Sequence, residues 1–324
     1  MNSRALLYRV GHMLFVLWVV TTLLFFMFRL MPGSPLAAYI DTSMTAEQEA
    51  ILLHQFGLDR PMWQQYFLYL ANLAQGNLGV SFIYKDPVGT ILLTALPNTL
   101  LLTLTSLLIA YAFGTFAGAF LAARRGTVVE TISLPFVLAT RALPEFWLGM
   151  VLLAIFSFSF GWLPAGGATS PGASFPSAFA RYASVDYLRH LLLPALTLAI
   201  FLQGLPTLLM RSNMLEVLQE EFVVMSRIKG LSEWSIIIRH AARNALLPVA
   251  TALALGIGSS IGGNVVIESV FSWPGLGRRL VEAVSASDYP LAQGAFLMIA
   301  TAQVVMNCVA DVVYSALDPR VARR

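Results

Sequence analysis

Cysteine is almost missing from this sequence, and charge is scarce. The one cysteine, Cys308, lies in an apolar run, so the chain forms no internal disulfide and the residue reads as packing. Asp, Glu, Lys and Arg together make up only 11% of 324 residues, too few for a soluble protein of that length. The net charge is +3 and no basic cluster is interleaved with aromatics, which argues against nucleic acid as a partner. Catalytic signatures are missing too. Without a G-x-x-x-x-G-K-[ST] loop the chain has no phosphate cradle for ATP of that kind. His12, His54, His190 and His240 fall in separate segments with no H-E-x-x-H or C-x-x-C, so neither a metal nor a cofactor is expected. Gly-x-Ser-x-Gly is absent. An intramembrane protease needs paired catalytic groups inside its spans, and Glu145 and Asp311 are far apart in the chain. A secondary transporter predicts an internal repeat with midplane carboxylates, and no clear repeat is present.

What the sequence has in plenty is hydrophobic residues, 57% of the chain, with a mean hydropathy of +0.73. The reading is an all-α membrane protein of about six transmembrane helices in one domain, with spans at 10–31, 98–123, 131–160, 191–211, 246–267 and 291–317. The first apolar run exceeds the roughly 7–15 residues of a signal-peptide core, so it is read as a retained span, with Arg29 snorkelling at its far end. Residues 32–97 are the longest non-spanning region. Thr45-Ala46-Glu47-Gln48 has capping-box spacing, opening a helix to about Phe56 that Gly57 ends.

Small residues at four-residue spacing mark faces for close helix packing: Ala110, Gly114, Gly118 and Ala122 in the second span, Ala250, Ala254, Gly258 and Gly262 in the fifth. The third segment would be about 45 Å long as one helix, against a hydrocarbon core of about 30 Å. Pro135 and Pro144 can kink it, and Arg141 and Glu145 fall one turn apart. Charges at that depth are expensive, so this pair faces a wet path or pairs structurally near the inner interface. Pro194, Gly204 and Pro206 break the fourth span around Gln203, which places it at the bundle centre. Ser260 and Asn264 suggest a path-lining face in the fifth, although helix–helix hydrogen bonds would also satisfy them. Arg141, Glu145, Gln203, Ser260 and Asn264 are thus the candidate path residues. Asn307 and Asp311 share a face of the sixth span, where structural pairing is the favoured reading of Asp311.

The most charged stretch is 212–245, between the fourth and fifth spans. Residues 216–229 suit a short helix, Gly230 can end it in a left-handed cap, and Ser232 can cap a second helix with Glu233 in its first turn, running into Pro248. Counting Lys and Arg on the two sides of six spans gives twelve on the side of the termini and this loop, against six on the other, which puts both termini and the loop in the cytoplasm.

Here the residues resemble a known family. Glu221, then Ser226-Arg227-Ile228-Lys229-Gly230-Leu231-Ser232, then His240-x-x-Arg243-Asn244-Ala245-Leu246-x-Pro248 is similar to the cytoplasmic coupling signature of bacterial ABC-importer permeases of the dipeptide/oligopeptide/nickel class. Phe222 and Val223 stand where small residues are usual, and Ile228 where Ala is usual, but a helical apolar face is kept. Gly57-Leu58-Asp59-Arg60-Pro61, Gly76-Asn77-Leu78-Gly79-Val80-Ser81, Ser272-Trp273-Pro274-Gly275-Leu276-Gly277 and Asp311-x-x-Tyr314-x-x-x-Asp318-Pro319-Arg320 extend the resemblance over almost the whole chain.

The resemblance implies the type I importer permease fold in a bacterial inner membrane, with an outer-face cap at 32–97 and a coupling helix in the cytoplasmic loop. It implies Glu221, Phe222, Met225, Arg227, Lys229, Gly230 and Leu231 as the contact to ATPase subunits. The implied partners are a homologous second permease, two ATP-hydrolysing subunits and an external binding protein, with no enzyme activity in this chain. The implied cargo is peptide; the same machinery also serves nickel or metal chelates, glutathione, and opines or glycans.

Overall fold

The computed structural model describes residues 3–30, 60–260 and 264–317, and among these it is helical, with one isolated bridge between Val80 and Pro87 in place of strands. The expected helix at 45–56, the Gly57–Asp59 segment, the side chains of Ser260, Asp311 and Tyr314, and Asp318-Pro319-Arg320 lie outside what is described. Among the described residues four helical stretches are long and apolar enough to cross a membrane, Val10–Leu30, Val88–Ala123, Val185–Leu202 and Tyr289–Ala310. Val128–Ala142 and Glu145–Ser159 make a fifth if taken as one bent span. The expected span at 246–267 runs through 261–263, which are not described; its described part is helical.

The chain divides into two compact units, residues 1–99 with 274–304 and residues 100–273 with 305–324. In the first unit, α1 (Ser3–Leu30) buries Leu24, Phe25 and Phe28 while Leu14, Phe15 and Leu23 stay exposed, as an apolar helix facing lipid does. α2 (Met62–Ala74) starts directly after Pro61 and sets Tyr66 and Tyr69 against Phe25, ring centroids 5.3 and 5.6 Å apart. α3 (Val88–Ala123) begins ten residues before the span expected at 98, because Pro97 is carried inside the helix. The apolar residues before it explain why: Leu92 and Ala95 are buried in a core shared with Leu276, Leu280, Leu291 and Ala295.

That core is closed by α13 (Leu276–Ser285) and α14 (Tyr289–Leu317). α13, which follows the Trp-Pro-Gly turn, is amphipathic: Leu276, Leu280 and Ala283 point inward, and Arg278, Arg279 and Glu282 form ion pairs on the outer side. Buried Asp288 ties the 81–86 turn to this pair of helices. It accepts from Ser81 Oγ at 2.5 Å, Ile83 N–H at 3.0 Å and Leu291 N–H at 3.1 Å.

In the second unit, the remainder of α3 packs through its glycine stripe. A Cβ on Gly118 would lie 2.4 Å from the Thr207 carbonyl oxygen and 2.8 Å from Met210 Cβ; one on Gly114 would lie 2.7 Å from Pro206 Cγ. The small residues of the second span are therefore a contact surface, as the four-residue spacing predicts. α4 (Val128–Ala142) runs straight through Pro135, and the break comes at Leu143, which is extended (φ −75°, ψ 139°) ahead of Pro144. α5 (Glu145–Leu152) then leaves at 104° and continues as a π-helix to Ser159. The short α6 (Ala178–Tyr182) leads to α7 (Val185–Leu202), capped by Ser184. α8 (Gly204–Val217) follows a break at Gln203. Pro194 does not break α7, and Pro206 sits in the first turn of α8, where its missing N–H leaves nothing unpaired.

The rest of the unit is α9 (Glu221–Ile228), α10 (Glu233–Ser235), a π-helical turn Ile236–Ala241, α11 (Ala242–Ser260) and α12 (Val265–Val270). α11 packs on α8 by burying Ala245 and Val249. Of the fifth-span stripe, Ala254 is buried and Ala250 half-buried, while Gly258 and Gly262 are beyond what can be described.

Candidate functional site

Three polar devices build the elbow between α8 and α11. Glu220 is extended (φ −69°, ψ 148°), so α9 opens at Glu221; residue 216, where a helix was expected to begin, belongs to the end of α8. The turn at 218–220 separates the two because Gln219 and Glu220 N–H close back on Glu216 and Val217. At the other end Gly230 takes φ +75°. The Gly230 N–H donates to Arg227 O at 2.9 Å and the Leu231 N–H to Ser226 O at 3.2 Å, the two bonds of a Schellman cap. Nothing lies within 4 Å of a Cβ built on Gly230, so glycine is needed there for its backbone angle and not for space. Ser232 Oγ then accepts from Ser235 N–H and starts the next helix, as its position after Gly230 predicts.

α9 has two faces. Val223 and Ser226 are buried, Val223 completely, against the π-helical turn carrying Ile236 and Ala241. Phe222, Met225 and Ile228 recur every three residues on the opposite side, joined by Val224, and all are exposed, Ile228 at 74%. Leu231 is also exposed beside the cap, whereas Trp234 and Ile238 line a separate groove with Phe116 and Phe120 of α3. Charge surrounds it. Glu221 stands in the first turn, where the helix dipole favours an anion, and Arg227 Nε donates to Glu233 Oε1 at 3.0 Å across the cap. Lys229 is exposed beside Gly230. Glu221, Phe222, Met225, Arg227, Lys229, Gly230 and Leu231 therefore lie on one short helix and its cap, all solvent-facing. The sequence reading omitted Val224 and Ile228, which the three-residue spacing from Phe222 and the exposure of α9 bring to the same side.

α10, the π-helical turn and α11 run without interruption from Glu233 to Ser260, with Pro248 inside this stretch, while α9 is set off from it by the Gly230 cap.

The candidate path residues separate into two kinds. Gln203 is buried at the α7–α8 break, its Nε2 donating to Thr140 Oγ1 at 3.0 Å and its Oε1 accepting from Thr207 Oγ1 at 2.9 Å. Asn264 Nδ2 donates to Thr103 Oγ1, also buried. Both spend their polar groups bracing neighbouring helices. Arg141 and Glu145 do not. They flank the 104° bend on different helices, so they do not share one helical face as their spacing suggests, and they form no ion pair with each other.

Largely apolar helices, four of them long and apolar enough to cross a membrane among the described residues, define a helical membrane protein, here with a short, exposed, capped helix between α8 and α11. The chain belongs to the family of binding-protein-dependent transport system inner membrane components, whose model matches residues 114–323, with the model of the family's N-terminal part matching 2–103. It is thus the permease subunit of an ABC importer. Among its relatives, the di/tripeptide transport system permease DppB of Pseudomonas aeruginosa is 38% identical over 325 residues, covering 97% of both chains. The glutathione transport system permease GsiC of Escherichia coli is 34% identical across 94% of both chains, and a peptide permease protein of Brucella suis described as putative is 37% identical across 94% of this chain and 95% of its own. Among solved structures, the inward-facing methionine ABC transporter MetNI covers 70% of this chain and 96% of its own at 15% identity and a TM-score of 0.49.

Proposed function

We propose that this permease forms half of the translocation path of an ATP-driven importer of short peptides, and that α9 is the part gripped by a separate ATPase. The observation that carries the ATPase contact is the outward face of Phe222, Met225 and Ile228 on a helix held rigid by its Gly230 cap and its buried Val223. An apolar face of this kind in water calls for a partner groove. Its packing supplies the mechanics: α9 bears through Val223 on the π-helical turn that runs into α11, so a push on α9 moves α11 as a lever, shifting the spans between inward-open and outward-open states.

Peptide cargo is supported by the di/tripeptide and glutathione permeases among the relatives, both of which carry short peptides or a tripeptide thiol. The remaining parts of the reading follow from the family. A homologous permease completes the path, two ATP-binding subunits sit at the cytoplasmic face with both termini of this chain, and a binding protein delivers cargo from outside. The Arg141–Glu145 bend lies along the path.

The test is assembly and turnover. Met225→Asp changes an exposed side chain, so the permease stays folded but co-purifies with far less ATPase; Glu221→Ala weakens the coupling of ATP hydrolysis to uptake in proteoliposomes. Solute uptake by the permease alone, in liposomes without any ATPase, overturns the proposal.

A further inference from the structure

Arg141 and Glu145 are charges inside the apolar third segment for which the described residues supply no ion pair, Tyr111 being the one group on which the Arg141 charge is seen to act. A charge near the centre of a span costs about 2.5–3.5 kcal/mol on insertion scales, so such residues normally pair or face water. Here neither has an ion pair or hydrogen bond to any described residue, although they stand only four positions apart. The bend is the reason. With α4 and α5 meeting at 104°, Arg141 sits in the last turn of one helix and Glu145 in the first turn of the next. Each end suits its own charge, a cation at a C-terminus and an anion at an N-terminus, so both charges are supported separately and no described residue neutralises either.

Arg141 is also seated. Its stem lies on Gly204 at the α7–α8 break, where a Cβ would come within 2.6 Å of Cδ and 2.8 Å of Cγ. The stem is thus fixed between two helix breaks while the residue remains exposed, a guanidinium held out for a carboxylate. Glu145 is half-buried, with no ion pair to a described cation.

We propose that this pair reads the two free ends of the cargo in transit: Arg141 takes the α-carboxylate and Glu145 the α-ammonium of a short zwitterionic peptide. The assignment rests on the peptide-import reading above and adds which groups of the peptide the permease itself recognises. A ligand carrying both charges is the one that satisfies two opposite, separately held charges at once. A cargo with a single charge leaves one of them uncompensated.

The experiment uses the whole assembly of both permeases and both ATPases in nanodiscs, trapped with ATP and vanadate, and without the binding protein so that only the permease selects. Radiolabelled Ala-Ala is the probe, competed by N-acetyl-Ala-Ala and by Ala-Ala amide. Wild type should prefer the free dipeptide by about tenfold or more over either blocked form, the loss of one charge-assisted hydrogen-bonded contact. Arg141→Gln should lose the penalty against the amide alone, and Glu145→Gln the penalty against the acetylated form alone, with Arg141→Lys keeping part of the discrimination. Unchanged preferences in both Gln variants overturn this assignment and leave peptide import standing. Loss of the second permease from the Arg141→Gln preparation shows that the charges hold subunits together, and overturns it as well. No Ala-Ala binding by an intact wild-type assembly overturns the peptide reading itself.

Discussion

The cap at Gly230 is the most sharply testable element, because its cost can be separated from packing. The residue holds φ +75° with open space around its Cβ position, so a substitution there changes backbone energy and little else. An ordinary L-residue in the left-handed region costs roughly 1–2 kcal/mol, whereas Asn adopts it routinely. Gly230→Ala should therefore shift the local opening equilibrium of α9 about 5- to 30-fold, and Gly230→Asn much less. Gly230→Pro goes further, since its ring fixes φ near −65° and removes the N–H that donates to Arg227 O. Amide hydrogen exchange over residues 224–231 in detergent reads the opening directly, and ATPase co-purification reads its consequence. The expected order of protection is Gly, Asn, Ala, Pro. If Ala and Asn variants exchange alike, the left-handed cap is not what rigidifies this helix, and the argument linking cap to coupling fails.

Two further outcomes test other parts of the fold. Gly118→Val places a side chain where even a Cβ would sit 2.4 Å from the Thr207 carbonyl, so overpacking should destabilise the second unit by about 1–3 kcal/mol or more, seen as a lower Tm; an unchanged Tm means α3 and α8 are not in contact there. Glu282 supplies a pH dependence. Burial raises its pKa, but the Tyr84 hydroxyl donating to it and the Arg279 and Arg278 guanidiniums outweigh that and hold it below the ordinary 4.5. A depressed carboxylate contributes stability above its unfolded value that disappears as pH falls through the folded one. The Tm gap between wild type and Glu282→Gln should thus be constant above about pH 5 and close below pH 4.5; a gap that widens in acid contradicts it.

Much of the elbow was legible because its signals are local. A glycine after a helical run, a serine two positions on and an acidic residue next are read within one or two turns, and the structure has the Gly230 cap, the Ser232 cap and Glu233 in those roles. The Gly114–Gly118 stripe was legible for the same reason, since helical periodicity alone brings the glycines to one face. The start of α9 was not, because Glu216 to Glu220 are all compatible with helix and only the turn closed by Gln219 and Glu220 separates α8 from it. Proline was a partial guide. Pro135 and Pro194 stay inside their helices, while the kink expected at Pro144 and the break expected around Gln203 are both present.

Composition and periodicity were enough to establish a helical membrane protein with a capped elbow between two of its helices, because hydrophobic runs, small-residue stripes and cap residues act over a few residues of chain. Tertiary structure alone decided which polar groups are already spoken for. Gln203 meets Thr140 across 63 positions, Asn264 meets Thr103 across 161 and Asp288 meets Ser81 across 207, and no local pattern encodes such partners. The same long-range packing, by bending the third span at Pro144 and seating Arg141 on Gly204, kept two charges apart that four-residue spacing alone would have joined.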